Sequence, residues 1–218
     1  MLDLFLPRRC AACGIPGADC CAACRRALVR IVPPVCERCG APGPWPVRRC
    51  AECARRRLGF VTARAAIVYE RRARCLVEAW KENGRRDLTR VAAELVAETV
   101  TRPHADALTY VPGDRDRVLR RGHATPERLA RELGRAWSLP VLQLLVRSRH
   151  VRRQRGLTLD ARRRNVAGAF GVTGRVPPSV VLVDDVYTTG STVGACARAL
   201  RRAGAERVDV VCLARAVR

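Results

Sequence analysis

The stretch VVLVDDVYTTGST, residues 180 to 192, joins four aliphatic residues to two adjacent aspartates and then to small hydroxyl residues around one glycine. An unbroken aliphatic run such as Val180 to Val183 fits a strand buried on both faces of a parallel sheet, where neither side needs polar cover. The two aspartates stand at the end of that strand, and the residues after them fit a turn into a helix. In an open parallel sheet ligands bind beyond the carboxyl ends of the strands, and a helix start there offers unpaired backbone N–H groups to an anion.

The flanking sequence repeats this alternation of strand and helix patterns. AAIVY (65 to 69) and DALTYVP (106 to 112) read as strands, the second ended by proline, and RVDVVCLA (207 to 214) reads as another. RCLVEAWKENG (74 to 84) reads as a helix closed by Asn83 and Gly84, and LTRVAAELVAET (88 to 99) sets Leu88, Val91, Ala92, Leu95, Val96 and Thr99 on one face. In TPERLARELGRAW (125 to 137), Thr125 reads as the N-cap, Pro126 as the first helical residue and Leu129, Leu133 and Trp137 as the buried stripe. The helix after the glycine turns Val193, Cys196, Leu200 and Ala203 inward and stops at Gly204. Together these units predict an α/β fold with a mostly parallel sheet and helices on both faces.

The N-terminal quarter is different. Nine of the 12 cysteines lie between Cys10 and Cys53, among prolines and glycines and with little amphipathic periodicity. Four C-x-x-C pairs stand out: Cys10/Cys13, Cys21/Cys24, Cys36/Cys39 and Cys50/Cys53. One such turn holds two thiolates close enough to share a tetrahedral metal, and two turns complete an all-thiolate site, so eight cysteines predict two structural Zn²⁺ ions. Sequential pairing of the turns and a cross-braced arrangement both satisfy the spacing. Cys20 adjoins Cys21, but Cys21 keeps the two-residue spacing to Cys24. Cys75, Cys196 and Cys212 fall in helix or strand patterns and read as small core residues.

The 218 residues suffice for one full-sized domain and a smaller module, divided here at 1–57 and 58–218. The apolar run in MLDLFLPRRC is too short for a signal peptide or a membrane span, so the expected location is the cytoplasm and no transmembrane segment is expected. The formal charge of +22 is almost all arginine, Lys81 being the only lysine. Two zinc ions on eight thiolates add about −4, bringing the folded charge to roughly +18. That field attracts nucleotides, sugar phosphates, nucleic acid and anionic surfaces alike. RSRHVRRQRGLTLDARRRN (147 to 165) concentrates eight arginines against Asp160 alone, as a loop over a phosphate site or along a nucleic-acid backbone would.

The residues of the first stretch specify a ligand class. Thr188, Thr189, Gly190, Ser191 and Thr192 are suited to a phosphate, while Asp184 and Asp185 can accept hydrogen bonds from sugar hydroxyls and help place a hydrated Mg²⁺. A phosphate beside a vicinal diol is a ribose 5-phosphate. The stretch resembles the 5-phosphoribosyl 1-pyrophosphate (PRPP) signature of type I phosphoribosyltransferases. Four cysteine pairs ahead of such a domain, Lys81 in a W-K helix, Val111 and Pro112 followed by Arg120, Arg121 and Gly122, and Gln154 with Arg162, Asn165, Gly168, Ala169 and Phe170 together resemble the ComF/GntX-like family over essentially the whole chain.

That resemblance implies a double zinc ribbon ahead of a type I phosphoribosyltransferase-like domain, in proteins associated with DNA uptake by competent bacteria. It assigns Asp184 and Asp185 to the ribose hydroxyls, Thr188 to Thr192 to the 5′-phosphate, and Arg120, Arg121 and, more weakly, Lys81 to the pyrophosphate. It implies transfer of the 5-phosphoribosyl group from PRPP to an acceptor the sequence does not name, by displacement at C1 with Mg²⁺ present. The alternative it leaves open is a non-catalytic competence protein that senses a nucleotide or binds nucleic acid, with single-stranded DNA or competence proteins as partners. Two departures stand out. His123, Ala124 and Thr125 replace the family's usual Phe-Asn-Gln, and Thr188 stands where 6-oxopurine salvage enzymes carry an acid that serves the base. No side chain reads as an obvious general base, and a lone loop histidine such as His123 is more often a packing residue.

Overall fold

Val180 to Val183 lie at the centre of a four-stranded sheet in a computed structural model of the chain, which describes residues 8–114, 116, 118, 119, 122–147 and 169–217. The elements in chain order are α1 (Ala22–Arg26), α2 (Ala51–Ala54), β1 (Ala63–Val68), α3 (Arg71–Lys81), α4 (Leu88–Thr99), β2 (Ala107–Tyr110), α5 (Thr125–Trp137), β3 (Leu145–Arg147), β4 (Phe170–Val172), β5 (Ser179–Tyr187), α6 (Ser191–Arg202) and β6 (Arg207–Arg215). The main sheet has the order β1-β6-β5-β2 and every pair in it is parallel; β3 and β4 form a separate antiparallel pair.

Alternation along β5 assigns its side chains to two apolar layers. Val181 and Val183 face α3, α4 and α5 in a layer built on Trp80, Leu88, Leu95, Leu129 and Leu133. Val180 and Leu182 face the other way, into a layer shared by Val193, Cys196 and Leu200 of α6, by Ile31, Cys36, Cys39 and Cys53 of the cysteine-rich region, and by Phe60. All four are fully buried, which accounts for the unbroken aliphatic run. Burial of each is worth about 1.5–3 kcal/mol. Hydrophobic packing thus runs across residue 57: part of the second sheet face, which helices alone would cover in a purely doubly wound fold, is covered by the second cysteine module.

Two local expectations are corrected. Thr125 is the first residue of α5 and not its N-cap; Ala124 holds that position without a side-chain cap, and the Thr125 hydroxyl turns to β5 instead. Ala203 lies just past α6 and is exposed. As expected, β5 carries both aspartates near its end, and its pairing with β6 continues through Asp184 to Tyr187. Among the described residues no helix is long and apolar enough to cross a membrane.

Candidate functional site

The carboxyl ends of the strands open into a cleft of about 720 Å³ lined by Lys81, Val111 to Asp114, His123 to Pro126, Arg147, Asp184, Asp185, Thr188 and Thr192. Strand alternation sends the two aspartates to opposite sides. Asp185 meets the α3–α5 side, where its Oδ2 accepts from the Thr125 hydroxyl at 2.9 Å and pairs with Lys81 Nζ at 2.6 Å. Its other oxygen accepts from the Val186 N–H at 2.8 Å. Asp184 is buried toward Cys196 and Cys212, and its Oδ1 accepts from the Asp185 N–H at 2.9 Å.

Burial, and then the neighbouring charge of Asp185, push the Asp184 carboxyl up to about 8 against the opposing pull of Lys81. Asp184 therefore keeps its proton near neutrality, and a cation binding there would draw out the carboxylate. Burial also raises the Cys196 and Cys212 thiols, so both remain protonated, as core residues do.

The hydroxyl-rich loop closes the cleft from the α6 side. Gly190 has φ 68°, the left-handed region that favours glycine, and a β-carbon there would run into the Tyr187 hydroxyl. Thr189 and Ser191 share a side-chain hydrogen bond of 2.9 Å, and the Ser191 N–H donates to Thr189 Oγ1 at 3.3 Å. Behind this wall is a second cleft of about 490 Å³, lined by Arg55, Arg56, Arg57, Arg198, Gly190 and Ser191, whose single acid, Glu52, is paired with Arg215.

Lys81 lines the cleft and its Nζ pairs with Asp185. Arg120 and Arg121 lie outside the described residues, as do Gln154, Arg162, Asn165 and Gly168. His123 is buried, with Nε2 3.0 Å from the Trp80 carbonyl, in keeping with a packing role. Sequence reasoning missed Thr125 as a partner of Asp185 because T-P-E-R at a helix start is also a capping pattern. It treated Arg147 only as part of the arginine-rich loop, whereas Arg147 ends β3, stacks over Phe170 at 5.6 Å and borders the cleft.

The eight cysteines form two tetrads with sequential pairing, Cys10/Cys13/Cys21/Cys24 and Cys36/Cys39/Cys50/Cys53, with the four sulfurs of each within 4.8 Å of one another. Zinc–thiolate bonds of about 2.3 Å in a tetrahedron require sulfurs roughly 3.8 Å apart. Cys13 to Cys21 is 3.8 Å, Cys36 to Cys53 is 3.7 Å and Cys50 to Cys53 is 3.9 Å, so both tetrads fit structural Zn²⁺. The two are built alike: a C-x-x-C-G knuckle with a positive-φ glycine (Gly14, Gly40) supplies two ligands, and a helix start with Cys21 or Cys50 at the N-cap supplies the others. In each, the N–H of that N-cap cysteine donates to the first sulfur, Cys21 to Cys10 at 3.4 Å and Cys50 to Cys36 at 3.3 Å. Burial opposes ionisation of Cys10 and Cys36, yet backbone N–H donors bring both thiols down to about 6, the thiolate state a metal needs. Cys20 is not in the tetrad.

Comparison with known proteins matches residues 1–54 to the double zinc ribbon domain and residues 118–217 to the phosphoribosyl transferase domain. The chain is 30% identical to Competence protein F of Haemophilus influenzae, covering 90% of each chain, and 32% identical to the DNA utilization protein YhgH of Salmonella typhi, covering 97% of this chain and 99% of that protein. The chain belongs to the ComF family. The YhgH protein of Escherichia coli K12 is 29% identical with the same coverage. A solved structure of the allosteric regulatory enzyme of purine biosynthesis aligns with 57% of this ComF-family chain and 24% of its own, at 25% identity and a TM-score of 0.40.

Proposed function

We propose that this ComF-family protein binds PRPP in the cleft at the ends of β5 and β2 and acts as a phosphoribosyltransferase, with residues 1–57 as its ribbon module and 58–218 as its transferase-like domain. The carrying observation is the meeting of a carboxylate pair and a hydroxyl-rich helix start in a single cleft. In this reading the Thr188–Thr192 loop and the N-terminus of α6 bind the 5′-phosphate, while Asp184 and Asp185 accept hydrogen bonds from the ribose hydroxyls. Lys81 and Thr125 hold Asp185 in place. Mg²⁺, held through the aspartate pair and the ligand's own oxygens, would neutralise the departing pyrophosphate. Arg147, Arg120 and Arg121 are the chain's own cations for the same charge. Displacement at C1 passes through an oxocarbenium-like state, so positioning and charge stabilisation supply most of the catalysis. The cytoplasm is the proposed location.

Calorimetric binding of PRPP with Mg²⁺, followed by pyrophosphate release across a panel of nucleobases and amines, tests this reading, with Asp184→Asn/Asp185→Asn as the control. No binding by the wild-type protein overturns the ligand; binding without release for any acceptor overturns the enzyme.

A second reading, a polyanion-binding protein for which PRPP is a regulatory ligand, is favoured by the arginine-lined cleft behind the phosphate loop and by the competence and DNA-utilization names of the relatives. It expects salt-sensitive binding of single-stranded DNA that Arg56→Ala/Arg198→Ala weakens. Binding unchanged by that pair would remove the cleft from the reading.

A further inference from the structure

Arg215, the last residue of β6, is about 1% exposed. Its guanidinium donates to the Cys39 carbonyl at 2.7 Å and to Glu52 Oε2 at 2.6 Å, and lies 3.6 Å from the Cys39 sulfur. Cys39 is a ligand of the second tetrad and Glu52 sits on the short helix between its last two ligands. On its other side, Arg215 stacks on Tyr187, with Cζ 4.4 Å from the ring centroid, and the two residues are register partners at the ends of β6 and β5. Phe60 meets the same ring edge-on at 6.2 Å. The Tyr187 hydroxyl in turn occupies the space a side chain at position 190 would need, and Gly190 is the N-cap of α6 at the middle of the phosphate loop. Cys39, Arg215, Tyr187 and Gly190 therefore form one unbroken line of contacts from the second tetrad to the loop.

Packing alone does not account for an arginine here. Its desolvation is costly, an apolar side chain of similar volume would fill the space without that cost, and its Nε is a buried donor with no hydrogen-bond partner among the described residues. The geometry points to a positioning role: we infer that Arg215 is a strut through which the metal-bound second ribbon fixes the Tyr187 ring and so holds the phosphate loop in its binding conformation. The inference rests on the proposed ligand of that loop for its functional consequence, while its structural content concerns the loop alone. The Cys36–Gly40 knuckle, which bound zinc would fix, presents the carbonyl that with Glu52 orients the guanidinium; the guanidinium seats the ring; and the ring sets the floor against which Gly190 turns.

Hydrogen exchange over residues 188–193 in the full-length, zinc-loaded protein without ligand is the direct test, with zinc content and PRPP affinity measured on the same samples. Arg215→Met and Glu52→Gln should keep two zinc ions per chain, speed exchange in the loop and leave α5 unchanged. PRPP binding should weaken about tenfold, the scale of one charge-assisted hydrogen bond. Arg215→Lys, which keeps a cation over the ring, should recover part of the loss. Should Arg215→Met fail to fold, Glu52→Gln carries the test, because Glu52 is partly exposed. Loop exchange equal to wild type in Glu52→Gln, or a rise spread evenly over α5 and the sheet, overturns the strut. Faster loop exchange in a protein whose wild type binds no PRPP supports the strut and overturns the ligand, so the two failures are distinct.

Discussion

The two cysteine modules share one design and have opposite settings. In the first, Cys13 is exposed, and beside the packing of Ala11, Cys20 and Leu28 the module is tied on by charge: Arg85 reaches Asp19 at 2.8 Å and the Arg9 carbonyl at 2.7 Å, and Arg25 reaches Glu94 at 2.9 Å and also pairs with Glu98. In the second, Cys36, Cys39 and Cys53 are each about 1% exposed and lie in the same apolar layer as Val180 and Leu182. The first is strapped on, and the second is part of the core. A ribbon whose ligands double as core side chains cannot lose its metal without loss to the sheet, whereas a ribbon held by surface ion pairs can.

The largest expected effect breaks that symmetry outright. Cys39→Ser should cost more than about 4 kcal/mol, since it removes a metal ligand from inside the shared core, and should abolish cooperative unfolding of the sheet. Cys13→Ser should release one zinc ion and leave the main thermal transition in place. Metal analysis with calorimetry checks both, and similar melting of the two variants would dissolve the distinction. The knuckle glycines repeat the contrast at smaller scale. Gly14 and Gly40 both have positive φ, yet a β-carbon meets nothing at Gly14 and collides with the Ala63 backbone at Gly40. Gly14→Ala should cost about 1–2 kcal/mol from backbone strain, and Gly40→Ala about 2–4 kcal/mol once β1 must also shift.

Asp184 extends the comparison to the cleft. The unfolded side chain ionises near pH 4, whereas the folded one holds its proton to about 8. Between those values the native state keeps a proton that the unfolded chain has released, so the contribution to stability is fully present below pH 4 and is lost as pH rises to about 8. Asp184→Asn should therefore stabilise the ligand-free protein, most at pH 8 and above, with the gain vanishing toward pH 4. Because Val180 and Leu182 of β5 lie in one apolar layer with Cys36, Cys39 and Cys53, whereas no ligand of the first tetrad joins either layer, chelator-driven zinc release should slow at the second tetrad and stay unchanged at the first. A uniform slowing would show the two modules to be coupled after all.

What the sequence disclosed follows from what was periodic or closely spaced. The parallel sheet, α4, α5 and both tetrads were legible because burial on two faces, 3.6-residue stripes and C-x-x-C turns leave local marks. Ligand pairing was not, since the spacing of four identical turns fits either arrangement and only the fold joins neighbours. Thr125 was misread because its hydroxyl could serve the helix or the strand opposite, and contact with Asp185 decided it. Arg215 gave no signal at all: an arginine at a strand end reads as solvated, and its burial depends on a ribbon 176 residues earlier in the chain.

The smallest expected effect tests the strap directly. Arg85 is the hub of the first module's attachment, since it also bonds Asp87 at 2.7 Å while holding Asp19, which is 7% exposed. Burial comes first among the causes that raise the Asp19 carboxyl, with Asp87 reinforcing it and Arg8 and Arg85 acting against it. Arg85→Ala should therefore cost only about 1 kcal/mol, because most of these contacts are solvent-screened. It should also leave Asp19 short of a partner, so proteolysis within residues 8–26 should quicken while the sheet resists as before. Raising the salt concentration on the wild type should move in the same direction, because the strap is ionic and the core contact of the second module is not. Equal protection of residues 8–26 in Arg85→Ala and wild type, at low and high salt, would mean that the packing of Leu28 beneath the module holds it without the charges, and the two ribbons would then differ in exposure alone.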